Sequence, residues 1–243
     1  MIVVVDFGAG NTRSVLRGLA AVGVEARLAG APDELLGAER LVLPGVGAAP
    51  SAVDELRRRD LWAPVREWGA AGRPLLGICL GAQLMLDMSE EGPADGLGLL
   101  SGACRAFPPA ASGGPVTVPH IGWNSVALRS GASFDAYFVH GYYLDPTDPQ
   151  VVAGTTEQDG FVFPSLLRAG ALTATQFHPE KSGPAGQALL AAFAAGLLDG
   201  TAAPVAGSAS DSGNRRETAL ISTKQGGPGP DSRGTRTRDR FSA

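Results

Sequence analysis

Cys79 lies in Gly77-Ile78-Cys79-Leu80-Gly81, where the apolar run 74–78 gives way to a helical pattern over 80–88. A strand that turns at once into a helix holds its turn residue in a strained conformation and pushes the side chain into the open. This is the cysteine counterpart of the G-x-S-x-G nucleophile elbow. The flanking glycines suit so tight a turn, because a Cβ at either position would clash. The helix N-terminus behind the cysteine presents unpaired N–H groups and a positive dipole end, both of which favour thiolate. A buried structural cysteine is the competing reading, as this is the usual fate of a free thiol. Both glycines and the strand-to-helix context favour the nucleophile.

A thiolate attacking an amide needs a proton donor for the departing amine. The chain has three histidines, His120, His140 and His178. His178 stands in Gln176-Phe177-His178-Pro179-Glu180-Lys181, and Pro179 ends the preceding strand by withholding a donor. Glu180, two residues on, suits the orienting carboxylate of a triad. His140 follows Tyr137-Phe138-Val139, and His120 lies in Pro119-His120-Ile121-Gly122-Trp123; neither has a carboxylate close in sequence. His178 is favoured and His140 stays open, because adjacency in sequence is only a proxy for geometry.

Acyl transfer also needs oxyanion donors. Pro44-Gly45-Val46-Gly47 follows the run 40–43, at the strand end where open α/β sheets place their sites. Its glycines, free of side chains, can present backbone N–H groups to a substrate, but an ordinary Pro-Gly turn reads the same residues equally well. Gly8-Ala9-Gly10 is not a dinucleotide fingerprint, because Arg13 occupies the third glycine position.

These residues need a scaffold, and residues 1–200 supply alternating strands and helices. Strands are expected at 2–6, 24–28, 40–43 and 74–78. Helices are expected at 12–22, with Val15, Leu16 and Leu19 on one face, then up to about residue 71, and at 80–88. Continuous apolar strands between helices are what a parallel sheet covered on both faces requires. After Gly92 the texture changes to short runs between Gly, Pro and Asp turns: 103–107, 116–119, 125–128, 137–139, 151–155, 161–163 and 171–176. That half reads as more antiparallel, closed by an apolar helix over 187–198. The expected fold class is therefore α/β, an open mixed, mainly parallel sheet flanked by helices. Residues 1–200 form one domain and 201–243 a disordered tail, Gly/Ser/Pro-rich and without period.

The bulk composition narrows the function classes. The 243 residues are 44% hydrophobic and 18% charged, which suits a globular domain with a substantial core. Net charge is −4, and seven bases against four acids from Thr201 onward leave the body at −7, which argues against nucleic acid as main partner. Two cysteines, Cys79 and Cys104, are too few for a disulfide framework and lack zinc-type spacing. With no basic leader before the first apolar run and no membrane-length segment, the cytoplasm is the expected compartment.

Together these segments resemble the triad-type (class I) glutamine amidotransferases. Gly77-Ile78-Cys79-Leu80-Gly81-Ala82-Gln83 and His178-Pro179-Glu180 match that family's two signature segments. Asp6-Phe7-Gly8-Ala9-Gly10-Asn11, Pro44-Gly45-Val46-Gly47, Pro119-His120-Ile121-Gly122-Trp123-Asn124, Tyr137-Phe138-Val139-His140 and His178-Pro179-Glu180-Lys181-Ser182 follow in family order. They narrow the resemblance to members acting as glutaminase subunits in histidine biosynthesis.

The resemblance implies Cys79 as nucleophile, His178 as general acid/base and Glu180 as its orienter. It implies glutamine contacts at Gly45, Gly47, Gln83 and Gly141, and a partner face at Trp123 and Lys181. The implied partner is a cyclase subunit, a (β/α)8 barrel that forms a heterodimer with this chain and receives ammonia from it. No metal or organic cofactor is implied. Phe7, Ala49 and Gly141 depart from the usual tyrosine, phenylalanine and small hydroxyl residue. A glutaminase subunit of another synthase, such as anthranilate synthase, would share the triad but lack 119–124 and the 6–11 turn. A non-catalytic binding module on the same sheet commonly loses a triad member, and here all three are present.

Overall fold

The structure is a computed structural model that describes residues 1–8, 10–92, 94–109 and 116–199. The tail expected over 201–243 lies outside the described residues. The first half runs β1 (Ile2–Val5), α1 (Thr12–Ala21), β2 (Ala26–Ala29), β3 (Arg40–Leu43), α2 (Ala49–Arg58), α3 (Trp62–Ala70), β4 (Leu75–Ile78) and α4 (Leu80–Gln83). The second half runs β5 (Met88–Ser89), β6 (Ala94–Asp95), β7 (Gly102–Ala106), β8 (His120–Leu128), β9 (Ser133–His140), β10 (Tyr142–Pro146), β11 (Val152–Gln158), β12 (Phe161–Ala169), β13 (Leu172–Thr175) and α5 (Gly183–Ala194).

Nine strands form one sheet in the order β2-β1-β3-β4-β13-β12-β11-β8-β9, and β10-β7-β5-β6 form a smaller one. Pairing in the large sheet is parallel from β2 to β13 and antiparallel from β13 to β9. The sheet is mixed as expected, and its antiparallel share reaches one half. Sequence order explains much of the division, since β8–β9, β11–β12 and β12–β13 are each joined by a short turn that suits antiparallel neighbours.

Residue patterns follow the sheet. Ile-Val-Val-Val of β1 and Leu-Leu-Gly-Ile of β4 are buried throughout, because helices cover both faces. Val4 and Leu76 pack with Val15 and Leu19 of α1 and Phe193 of α5 on one face. Val3, Val5 and Leu75 pack with Leu56 of α2 and Trp68 of α3 on the other. In β8, by contrast, His120 and Val126 are buried while Ile121 and Trp123 are exposed, the alternation of a strand covered on one side.

Two expectations are corrected. The helix after Cys79 stops at Gln83 and does not run to residue 88. Its continuation is pre-empted by long-range bonds: the carbonyls of Leu84, Met85 and Leu86 accept from Leu97, Leu99 and Leu100, and Gly98, and Met88–Ser89 is drawn into the small sheet. Residues 116–119 do not form a strand. Pro119 has no N–H, and the Thr117 N–H donates instead to the Asp159 carboxylate at 2.7 Å. β8 starts only at His120.

Candidate active site

The elbow is built as its glycines require. Cys79 has φ 53° and ψ −110°, a left-handed backbone setting that side chains rarely adopt and that persists only when the surroundings enforce it. The Cys79 N–H donates to Thr175 O at 2.7 Å, and its carbonyl accepts from Gln83 N at 3.0 Å, tying the turn to β13 and to the following helical turn. A Cβ on Gly81 would lie 1.8 Å from Leu43 O, and one on Gly77 would lie 2.5 Å from Met85 Sδ. Neither position tolerates a side chain. The expected open exposure of Cys79 is corrected: its residue exposure is 5%, because the thiol faces a walled cavity. With only four residues in α4, the helix-dipole contribution is smaller than a long helix would give.

His178 follows β13, the strand beside β4, so the two functional side chains arise from the ends of neighbouring parallel strands. The His178 N–H donates to Tyr137 O at 2.9 Å, and Ser182 Oγ donates to His178 O at 2.6 Å. His178 Nδ1 lies 2.9 Å from Glu180 Oε1, with both side chains sealed from solvent. A carboxylate accepts only, so Nδ1 carries the proton and Nε2 is left to act. Nε2 is buried without a hydrogen-bond partner. Burial pulls the His178 pKa down, but the Cys79 thiol and Glu180 outweigh it and push it up to about 9.

The other histidine and the other cysteine differ sharply. Both ring nitrogens of His140 are engaged, Nδ1 with Tyr142 O at 2.7 Å and Nε2 with His120 Nδ1 at 2.9 Å. Burial pushes the His140 pKa down to about 3, so its ring stays neutral and has no free nitrogen for proton transfer. Burial pushes the Cys104 thiol up to about 12, which makes it the structural cysteine.

The cavity at Cys79 holds about 170 Å³, and Gly47, Gln83 and Gly141 line it. Gly47, at φ 100°, has open space where a Cβ would stand. Gly45 does not line the wall. It packs behind the elbow, where a Cβ would lie 2.9 Å from Gly81 N. Glu91, His140 and Tyr142 also line the cavity, and sequence reasoning missed Glu91. Its signal was a carboxylate in the loop after the elbow; Glu91 Oε2 accepts from Ala49 N at 2.9 Å, which draws that loop over the Pro-Gly turn. Gln176 Nε2 sits 3.9 Å from Cys79 Sγ, and its Oε1 accepts from Gln83 Nε2 at 3.3 Å. Away from the cavity, Trp123 and Lys181 cluster on Tyr137. The Trp123 ring lies 6.2 Å from the Tyr137 ring, and Lys181 Nζ lies 5.5 Å above it.

An elbow cysteine, a buried His–Glu pair and an α/β sheet define a class of enzyme, and the comparisons agree. Residues 3–197 match the family described as glutamine amidotransferase class-I, and the chain belongs to that family. The chain is 44% identical over 210 residues to imidazole glycerol phosphate synthase subunit HisH of Streptococcus sanguinis, covering 83% of this chain and 99% of that protein. It is 45% identical over 204 residues to the subunit of the same name from Rhodopirellula baltica, covering 80% and 97%. Within its family the chain is thus a glutaminase subunit of imidazole glycerol phosphate synthase, an enzyme of histidine biosynthesis.

Solved structures agree on the fold. One described as a glutamine amidotransferase superposes with TM-score 0.64 at 22% identity, covering 80% of this chain and all of the other. The structure of PurLQS from Thermotoga maritima superposes at 0.61 and 18% identity, covering 82% and 98%. Among the described residues, no helix is long and apolar enough to cross a membrane.

Proposed function

We propose that Cys79 attacks the side-chain amide of glutamine and carries a thioester, with His178 moving the protons and Glu180 holding the imidazole. His178, with its pKa raised to about 9, rests with a proton on Nε2 and delivers it to the departing amine, releasing ammonia. The neutral ring then accepts a proton from the water that attacks the thioester carbon, and glutamate leaves as the Cys79 sulfur is released beside the reprotonated imidazole. Gly47, Gln83 and Gly141 contact glutamine, while Gly45 supports the elbow from behind. The observation that carries this reading is the buried His178–Glu180 pair, with Nδ1 2.9 Å from Oε1, at the end of the strand that runs beside the one leading into Cys79.

The ammonia passes to a cyclase subunit, a (β/α)8 barrel that docks on the face bearing Trp123 and Lys181 to make a heterodimer. The relatives' printed name, a subunit of a synthase, supports a complex, and the exposed Trp123 supports a docking face. Two unpaired cysteines suit a reducing cytoplasm. The test is ammonia release from glutamine by the complex. Cys79→Ala abolishes it while the complex still forms; turnover well above background in that variant would overturn the mechanism.

A further inference from the structure

His120 belongs to the 119–124 segment that marks this chain, and the proton chemistry at Cys79 does not use it. It stands directly opposite His140 in the β8–β9 pairing. On the same strand Ile121 and Trp123 point outward, each 60% exposed, while the His120 ring is turned inward and is 3% exposed. It stacks on Phe138, with centroids 4.7 Å apart, and meets Phe163 edge-on at 5.9 Å. A polar nitrogen left unpaired in such an apolar box is costly, so each ring nitrogen needs a partner.

The hydrogen bonds around it allow one consistent set of donors. Tyr142 O can only accept, so His140 Nδ1, at 2.7 Å, carries the proton. A neutral His140 then has its lone pair on Nε2, so His120 Nδ1, 2.9 Å away, must donate to it. His120 Nε2 is left as an acceptor, and the Asn124 amide stands 3.2 Å from it. Asn124 Nδ2 also donates to Glu157 O at 2.8 Å, which fixes which end of the amide faces the ring. Burial lowers the pKa of both rings, as a neutral chain requires. The relay thus runs in one direction, from Asn124 through His120 and His140 to Tyr142 O.

Its last acceptor is shared with the pocket. Tyr142 O also accepts from Gln83 Nε2 at 3.1 Å, and Gln83, His140, Gly141 and Tyr142 all line the cavity at Cys79. We infer that His120 is a positioning residue for the glutamine pocket, acting through His140 to hold the His140–Tyr142 corner and the Gln83 amide that shares its carbonyl. It touches neither substrate nor thiol. The inference rests on reading this cavity as the glutamine site.

Binding measurements separate the two. Calorimetry of glutamine with the full chain carrying Cys79→Ala reports the pocket without turnover. Adding His120→Phe keeps a flat ring and removes the donor, and weakens glutamine binding about ten-fold, the worth of one buried hydrogen bond. His120→Asn places an amide nitrogen near the lost Nδ1 and recovers most of the affinity. In a His140→Phe background, His120→Phe adds little, because the relay is already cut. Unchanged affinity in a folded His120→Phe chain, or additive effects in the pair, overturns the positioning role and leaves the glutamine site standing. No glutamine binding to the Cys79→Ala chain overturns both. Nitrogen NMR of the unsubstituted chain decides the matter even if His120→Phe does not fold. The proton must sit on Nδ1 of both His120 and His140, and an Nε2-protonated His140 sinks the relay.

Discussion

His178 Nδ1 lies 2.9 Å from Glu180 Oε1 across a single proline, and both side chains are almost wholly sealed from water. The short Pro179–Lys181 helical turn sets this distance, and Gly18 of α1 permits it: a Cβ there would lie 3.0 Å from the Glu180 Cβ. The carboxylate is wedged against the imidazole by a helix on the covered face of the sheet. Orientation of the base therefore depends on packing as well as on local sequence.

Removing the base should cost more than weakening its support. His178→Ala is expected to lower kcat for glutamine hydrolysis by roughly a hundred- to ten-thousand-fold, the range of general acid–base catalysis. Glu180→Gln keeps a hydrogen-bond acceptor beside Nδ1 but removes the charge, so its loss of kcat should be smaller. Steady-state ammonia release by the complex measures both. A Glu180→Gln defect larger than that of His178→Ala would contradict the assigned order of roles.

Stability should fall on the alkaline side because of His178. Its folded pKa, about 9, lies above the ordinary 6.5, so the folded chain binds this proton more tightly than the unfolded one. The contribution is fully present below pH 6.5 and is lost as pH rises through about 9. His140 has the opposite sign. Its folded value of about 3 lies below 6.5, so its contribution is present above pH 6.5 and is lost as pH falls toward 3. Denaturation midpoints between pH 4 and 10, roughly the span of the two transitions, should show His178→Gln flattening the alkaline limb and His140→Phe the acid limb.

Gly81→Ala should be among the most damaging single-methyl additions in the chain. The new Cβ would meet Leu43 O at 1.8 Å, and backbone on both sides leaves nothing flexible to yield. A loss of about 3 kcal/mol is expected, with glutaminase activity abolished, since β3 and the elbow must separate. Gly141→Ala is the control: its Cβ would meet only Val118 Cγ1, at an ordinary 3.6 Å, and should leave stability nearly unchanged. Urea denaturation of the two variants makes the comparison.

Glutaminase activity of the free chain should be low and should rise when the partner binds. The N–H after an elbow nucleophile is a usual oxyanion donor, but here Leu80 N is directed at Gly45 O at 3.4 Å. Pro44-Gly45-Val46-Gly47 must give up that contact before the donor is free, and losing one oxyanion donor costs roughly a hundred- to a thousand-fold in turnover. Docking at Trp123 and Lys181 is expected to bias the segment toward release. Ammonia release by the chain alone, with its cyclase, and with the cyclase's nucleotide ligand added provides the measurement. Equal rates in all three would remove the switch and leave the enzyme class intact.

Much of this site was legible because its residues are forced by local geometry. Gly77 and Gly81 have no steric alternative at the elbow, and the alternating strands and helices of the first half carry the period of a covered sheet. What escaped depends on contacts distant in sequence. α4 ends at Gln83 because residues 97–100 take its next carbonyls, and β5 is held between β6 and the more distant β7. Glu91 reaches the cavity through a bond to Ala49, 42 residues earlier. The engagement of both His140 nitrogens, by Tyr142 O and by the more distant His120, likewise could not be read from adjacency.

The pairing of β4 with β13 also governs when the enzyme comes into being during synthesis. Cys79 and Gln176 are neighbours in space but 97 residues apart in the chain. Parallel strands so separated close late, because the entropy of the intervening loop must be lost before any contact compensates. A ribosome-bound chain that has emerged only as far as β12 carries the thiol but not the histidine, so it holds no competent nucleophile. Refolding experiments should therefore find ammonia release returning with the final kinetic phase, after most of the helical signal has recovered. On the proposed mechanism the last strand to dock is the one that arms the thiol, so a half-made chain is expected to spend no glutamine.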